Sequence, residues 1–176
     1  MTSEFDPRFP IGQHEKPETV SADDLASAVA TISELPEQLR AAVTRLDDDQ
    51  LDTPYRDGGW TLRQVVHHVA DSHAMALIRF KKALTEDNPV VFAYKEAEYA
   101  KLDDYNAPVE WSLDILENTH ARWVMLMESM TAAQWKRAVQ HPERGLQPLD
   151  QMALLYSWHS RHHTAHITHL RRRKRW

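Results

Sequence analysis

Trp158-His159-Ser160-Arg161-His162-His163-Thr164-Ala165-His166-Ile167-Thr168-His169 is the stretch from which the rest of the chain is read. Five of the 11 histidines lie inside it. Apolar residues recur through and around it at helical spacing (Met152, Leu155, Tyr156, Ile167, Leu170), which predicts a helix. On a wheel of about 100° per residue, Leu155, Tyr156 and Leu170 lie within roughly 60° of Met152 and define a buried stripe. His159 and His163 fall roughly 20° to either side of its centre, one turn apart. Arg161 points directly away, and His162 and His169 sit on the flank. Imidazoles at i and i+4 stand side by side and can share a metal ion. Two readings are open at this point: a metal pair, or two core histidines that each need a buried partner. His162 with His166 is the weaker metal pair, because His162 leaves the stripe.

Composition narrows the chemistry. With 176 residues the chain can bury a core unaided, and one domain over 1–176 is expected. There is no cysteine, which excludes disulfides and thiolate metal sites, so a metal would be held by nitrogen and oxygen. A net charge of -5 argues against nucleic acid as a partner. The basic run Arg171-Arg172-Arg173-Lys174-Arg175 is expected to be a solvated helix end, where cations meet the negative end of the dipole. No apolar run approaches the roughly 20 residues of a membrane span, and the polar N-terminus has no signal-peptide pattern. No membrane partner and a cytoplasmic location are expected. Four glycines and abundant Ala, Leu, Glu and Arg point to an all-α chain.

Outward from the histidine helix, three more long helices are predicted. Residues 1 to about 20, punctuated by Pro7, Pro10 and Pro17, form an extended N-terminal arm. Ser21 caps a helix carrying Leu25, Ala28, Val29, Ile32 and Leu35, which Pro36 is expected to kink or restart before Leu39, Ala42, Val43 and Leu46. Thr61 caps a helix from Leu62 to about Leu84 with the stripe Leu62, Val65, Val69, Ala76, Phe80. His73 lies near the centre of that stripe. His68 lies on its edge with Gln64, Ser72 and Arg79, and His67 points to the polar side. Periodicity nominates His73 as the buried histidine and leaves His68 lining a partly polar cleft. Residues 85 to 110 have no clean period and read as a lid or pocket wall. Ser112 is expected to cap the third long helix, with Leu113, Leu116, His120, Trp123, Met127 and Met130 on one face. A short helix (Thr131 to Trp135) and a loop through His141 to Gly145 follow. The sum is a four-helix bundle with long connecting loops.

Gly58-Gly59-Trp60-Thr61-Leu62-Arg63-Gln64-Val65-Val66-His67-His68-Val69-Ala70-Asp71-Ser72-His73 and Tyr156 through Ile167 resemble the YfiT group of the DinB-like superfamily. The resemblance runs from Pro10-Ile11-Gly12, through Leu51 to Asp57, to the terminal Arg-rich turn. It implies a four-helix bundle and three histidine metal ligands. One is the second His of the His-His pair, His68, and two come from H-x-x-x-H, His159 and His163. For the last helix this agrees with the wheel; on the second long helix it selects His68 over His73. The resemblance further implies homodimers and metal-dependent enzymes, either hydrolases or transferases that pass the thiol bacillithiol to an electrophile.

Three neutral imidazoles leave at least one position open on a divalent ion, as catalytic sites do. One ion per chain is expected, zinc by default with nickel possible, since both suit imidazole. The expected partner is a small-molecule thiol and its electrophile, or a hydrolysable substrate if the ion activates water instead. Candidates for supporting catalytic roles are Asp71, one turn after His68 and able to orient its ring, together with His120 and Tyr156 at the cleft. A non-catalytic alternative treats the metal as a structural pin and the off-stripe Leu154 and Trp158 as a surface for another helix.

Overall fold

The computed structural model describes residues 6–176. The first five residues of the expected arm lie outside the described residues, and the rest runs along the last helix. Helix α1 is Ala22–Val43, capped by Ser21, whose hydroxyl accepts from the Asp24 amide while Asp24 accepts from the Ser21 amide. Helix α2 is the single turn Asp48–Leu51, and α3 is Leu62–Thr85 with a Thr61/Gln64 capping box. Buried Arg63 pairs with Asp48 at 2.7 Å and Asp52 at 2.6 Å, tying the α1–α3 connection to α3. Helix α4 is Glu96–Tyr99, α5 is Val109–Glu128 and α6 is Ala132–Trp135. Strands β1 (Ala138–His141) and β2 (Gly145–Pro148) form an antiparallel hairpin that pairs Ala138 with Pro148 and His141 with Gly145. Helix α7, Leu149–Lys174, carries the histidines and ends with Arg175 in the left-handed conformation. Among the described residues, no helix is long and apolar enough to cross a membrane.

The four long helices, α1, α3, α5 and α7, form the predicted bundle. Helix α1 packs against α7 and α5, and α3 packs against α5 and α7. The first two long helices therefore occupy opposite corners, and α7 lies between them. The apolar core divides into two halves. One is built on Ile32, Ala76, Phe80, Trp123, Met127 and Met152, the other on Leu35, Leu39, Val69, Leu116, Ile167 and Leu170. On α3, α5 and α7 the residues between the halves include His73, His120, His159 and His163. A belt of imidazoles crosses the bundle where a third apolar layer would otherwise lie.

Several expectations are corrected. Pro36 does not break α1, which runs unbroken through it. A proline has no N–H for the carbonyl four residues back, here Ile32. The Nδ1 of His120 stands 2.5 Å from that oxygen and replaces the missing bond. Ser112 is not a cap, because α5 begins three residues earlier behind Pro108 and Ser112 turns inward to His67 Nδ1 at 2.7 Å. His67 is accordingly buried rather than on a polar face. The loop after α6 contains the hairpin, whose turn closes at Gly145 with φ 68, a left-handed conformation glycine adopts freely.

Candidate metal centre

Helix α3 supplies His68, and one inward face of α7 supplies His159 and His163. His68 Nε2 lies 3.2 Å from His159 Nε2. Ring centroids are 5.3 Å apart for His68 and His159, 4.9 Å for His68 and His163, and 4.4 Å for His159 and His163. One nitrogen from each of the three lies within 4.8 Å of the others. Two nitrogens at about 2.0–2.1 Å from a tetrahedral ion stand about 3.3–3.4 Å apart, so the His68–His159 separation is that of a ligand pair. His68 Nδ1 is buried with no hydrogen-bond partner among the described residues. A polar atom so left is costly unless binding compensates it elsewhere.

Burial controls the charge. His68 is pushed down to about 4 by desolvation, with the neighbouring His162 adding to the shift. His159 and His163 lie well below the ordinary histidine range for the same first reason, then through the proximity of His68 and His162 for His159 and of His159 and His68 for His163. The rings are thus neutral near pH 7, with lone pairs free for a cation.

A cavity of about 300 Å³ opens on this group, lined among others by His68, His159, His162 and His163. Its further walls are Ser72 and Arg79 of α3, Ala93, Tyr94 and Glu96 of the 85–110 segment, Glu143 and Arg144 of the hairpin turn, and Tyr156. The irregular segment is therefore a pocket wall, as its lack of period suggested, and Ser72 and Arg79 share the cleft edge with His68. Gln64, expected on that edge, instead donates to the Ala100 carbonyl at 2.7 Å. Sequence reasoning missed Tyr94, Glu96, Glu143 and Arg144. Tyr94, Glu143 and Arg144 sit on loops and Glu96 opens the four-residue α4, too short for any periodicity to signal the direction of a side chain.

The supporting candidates fall in different places. The Asp71 carboxylate accepts from the Tyr105 hydroxyl at 2.7 Å and makes no bond to His68, so the orienting contact expected of it is not formed. Burial raises Asp71, partly offset by that same bond. Tyr156 lines the cavity, and Arg79 Nη1 donates to its hydroxyl at 3.4 Å. His120 is not at the cleft; it lies two rings away behind His73. His73 is fully buried and touches both His120 and His159, at 2.9 and 3.0 Å, so it supports the centre without facing the cavity.

A second group, His162, His163 and His166, also has its nitrogens within 4.8 Å of one another. The wheel left His162 on the flank, yet it is buried, stacked on Trp158 at 4.2 Å, with Phe9 of the arm 6.2 Å away. Trp158 donates from Nε1 to the Gly12 carbonyl at 3.1 Å, so the surface assigned to a partner helix is covered by the chain's own arm. His166 stacks on Tyr55 at 4.0 Å and stands away from the cavity, with Nε2 3.4 Å from the Arg8 carbonyl and Nδ1 3.4 Å from His163 Nδ1. The two groups share His163, and only the first has all its members on the cavity wall.

Comparison with known proteins places these features. A family profile described as the DinB superfamily matches residues 31–167. Proteins of Bacillus mycoides (strain KBAB4) and Bacillus cereus (strain 03BB102), whose names propose a metal-dependent hydrolase, are each 48% identical over 171 residues, covering 97% of this chain and 99% of theirs. The solved structure of YfiT from Bacillus subtilis, described as a probable metal-dependent hydrolase with an unusual four-helix bundle topology, matches with a TM-score of 0.94. It is 44% identical, and the match covers 97% of this chain and 98% of that one.

Proposed function

The chain belongs to the DinB superfamily, and from that premise we propose that it is a metal-dependent enzyme in which His68, His159 and His163 hold one divalent cation at the cavity and a low-molecular-weight thiol is transferred to an electrophile. The observation that carries this reading is the convergence of three neutral imidazoles from two helices on the wall of a closed-backed cavity. Such a cation would act as a Lewis acid, deprotonating a bound thiol or lowering the pKa of water to about 7. Zinc, with nickel as the alternative, suits three imidazoles.

The protein's own groups supply the rest. His159 and His163 approach from one wall and His68 from the opposite helix, leaving the cavity side for the reactant. Arg79 and Arg144 offer guanidiniums to carboxylates on an anionic thiol such as bacillithiol. In the transfer the sulfur–carbon bond forms as the bond to the leaving group breaks. The leaving group departs with that electron pair, and the thiol proton passes to solvent. Among the described residues no carboxylate is bonded to any of the three histidines, and thiol transfer, unlike hydrolysis, needs no positioned base once the thiol is ionised. A cavity of about 300 Å³ suits a small molecule. The second reading, hydrolysis, is favoured by the names of the relatives and by Glu143 on the cavity wall, a carboxylate able to serve as base. Homodimerisation belongs to the proposal as well, and sedimentation of the purified protein tests it.

Zinc- or nickel-loaded protein incubated with bacillithiol and an aryl halide or epoxide should consume thiol above background, and His163→Ala should not. Equal rates for the two proteins and for buffer would overturn the transfer reading. An ester and amide panel run with the same pair decides the hydrolytic one.

A further inference from the structure

A metal-binding imidazole needs one nitrogen bare toward the ion and the other protonated, and the neighbour of that second nitrogen usually decides the tautomer. The neighbour of His159 Nδ1 is His73, an imidazole that can donate or accept and so decides nothing by itself. The direction has to come from further along the chain of contacts. At its far end stands the Ile32 carbonyl, which can only accept. Pro36 leaves that oxygen without its helical donor, and His120 Nδ1 lies 2.5 Å from it. His120 must donate there, which leaves its Nε2 bare. That atom is 2.9 Å from His73 Nδ1, which must then donate, leaving His73 Nε2 bare. His73 Nε2 is 3.0 Å from His159 Nδ1, which donates in turn.

We propose that His120 and His73 are positioning residues that carry the polarity of the Ile32 carbonyl through three rings, fixing His159 as the Nδ1–H tautomer with its Nε2 lone pair turned to the centre. The reverse order would press the His120 lone pair against the carbonyl oxygen with no proton between them. The rings of His73 and His120 are parallel to within 13°, with centroids 5.0 Å apart. Trp123 and Tyr156 stand edge-on to His73, both at 83°, and enclose the relay in apolar surface. A hydrogen bond in such surroundings is strong when made and costly when broken. Pro36 thus has a use at a distance, since it frees the acceptor that sets the order.

The bearing on metal affinity rests on the reading of His159 as a ligand; the tautomers do not. Long-range proton–nitrogen correlation spectra of metal-free, histidine-labelled protein at pH 7.5 should show His120, His73 and His159 all protonated at Nδ1. An Nε2–H form at His73 or His159 overturns the proposal, whatever the metal does. His120→Leu should lose the single tautomer at His159 and weaken zinc about 10-fold, although residue 120 touches no ligand. His120→Gln, whose amide can donate to Ile32 and accept from His73, should restore both. An unchanged His159 spectrum in His120→Leu, with folding verified by circular dichroism, also overturns it. Correct tautomers with no zinc binding by the wild type would instead sink the metal reading and leave the relay intact.

Discussion

The two candidate ligands on α7 are backed in different ways, and the contrast separates what the bundle builds in from what the arm adds. Behind His159 the contacts run inward through His73 and His120 to Ile32, at 3.0, 2.9 and 2.5 Å, wholly inside the helices. Behind His163 they run outward through His166 to Arg8, with 3.4 Å at each step, and end on the N-terminal arm. Both paths start at Nδ1 of a candidate ligand and finish on a backbone carbonyl. Hydrogen bonds at 3.4 Å are at the edge of useful geometry, and those under 3.0 Å are well inside it. His68, the third candidate ligand, has no hydrogen-bond partner at Nδ1 among the described residues. The candidate centre thus combines one imidazole backed closely inside the bundle with one backed more loosely through the arm.

The comparison can be broken at its root. His68→Ala, His159→Ala and His163→Ala should each weaken zinc by more than about 100-fold, a larger loss than second-layer changes give. Equilibrium competition with a chelating dye measures this. Acid tests the inner path next. His120 titrates at about 4 when folded because of burial, against about 6.5 unfolded. Above 6.5 both states are neutral and stability is full. As pH falls the unfolded chain takes up its proton first, so stability drops until about 4. At pH 5 the loss from this one group is about 2 kcal/mol. The acid-induced fall in Tm of metal-free protein should therefore shrink in His120→Leu, as calorimetry at pH 7.5 and 5 would show.

The outer path should matter less. His166→Phe, which keeps the stacking on Tyr55, should weaken zinc by less than about 10-fold, below the effect of His120→Leu despite being closer in sequence to a ligand. A larger loss than for His120→Leu would reverse the ranking of the two paths. Smallest of all, Trp158→Phe removes the bond to Gly12 and should cost about 1 kcal/mol in thermal stability, with the arm loosened but the zinc site kept.

Much of this could be read from the chain. Capping residues at Ser21 and Thr61 define two helix starts, and apolar residues at helical spacing define the buried face of α7. The wheel put His159 and His163 on that face and His73 at the centre of its own. What escaped the sequence depends on tertiary cover. His67 and His162 lie off their stripes, yet residues 107–112 bury the first, and the arm with Trp158 buries the second. A helical wheel describes one helix and cannot register what a distant segment lays over it. Pro36 misled for a related reason, because the donor that repairs the helix there comes from α5, 84 positions further along the chain. The relay itself joins four helices, and spacing within any one of them carries no trace of it.

Titration of metal-free protein with cobalt(II), followed by its visible absorption, tests the central claim most directly. One ion per chain is expected, with an all-nitrogen-and-oxygen spectrum that is lost in His68→Ala and in His163→Ala but kept in His162→Ala. A spectrum that survives His68→Ala and vanishes in His162→Ala would place the ion among His162, His163 and His166, away from the cavity, and would contradict it.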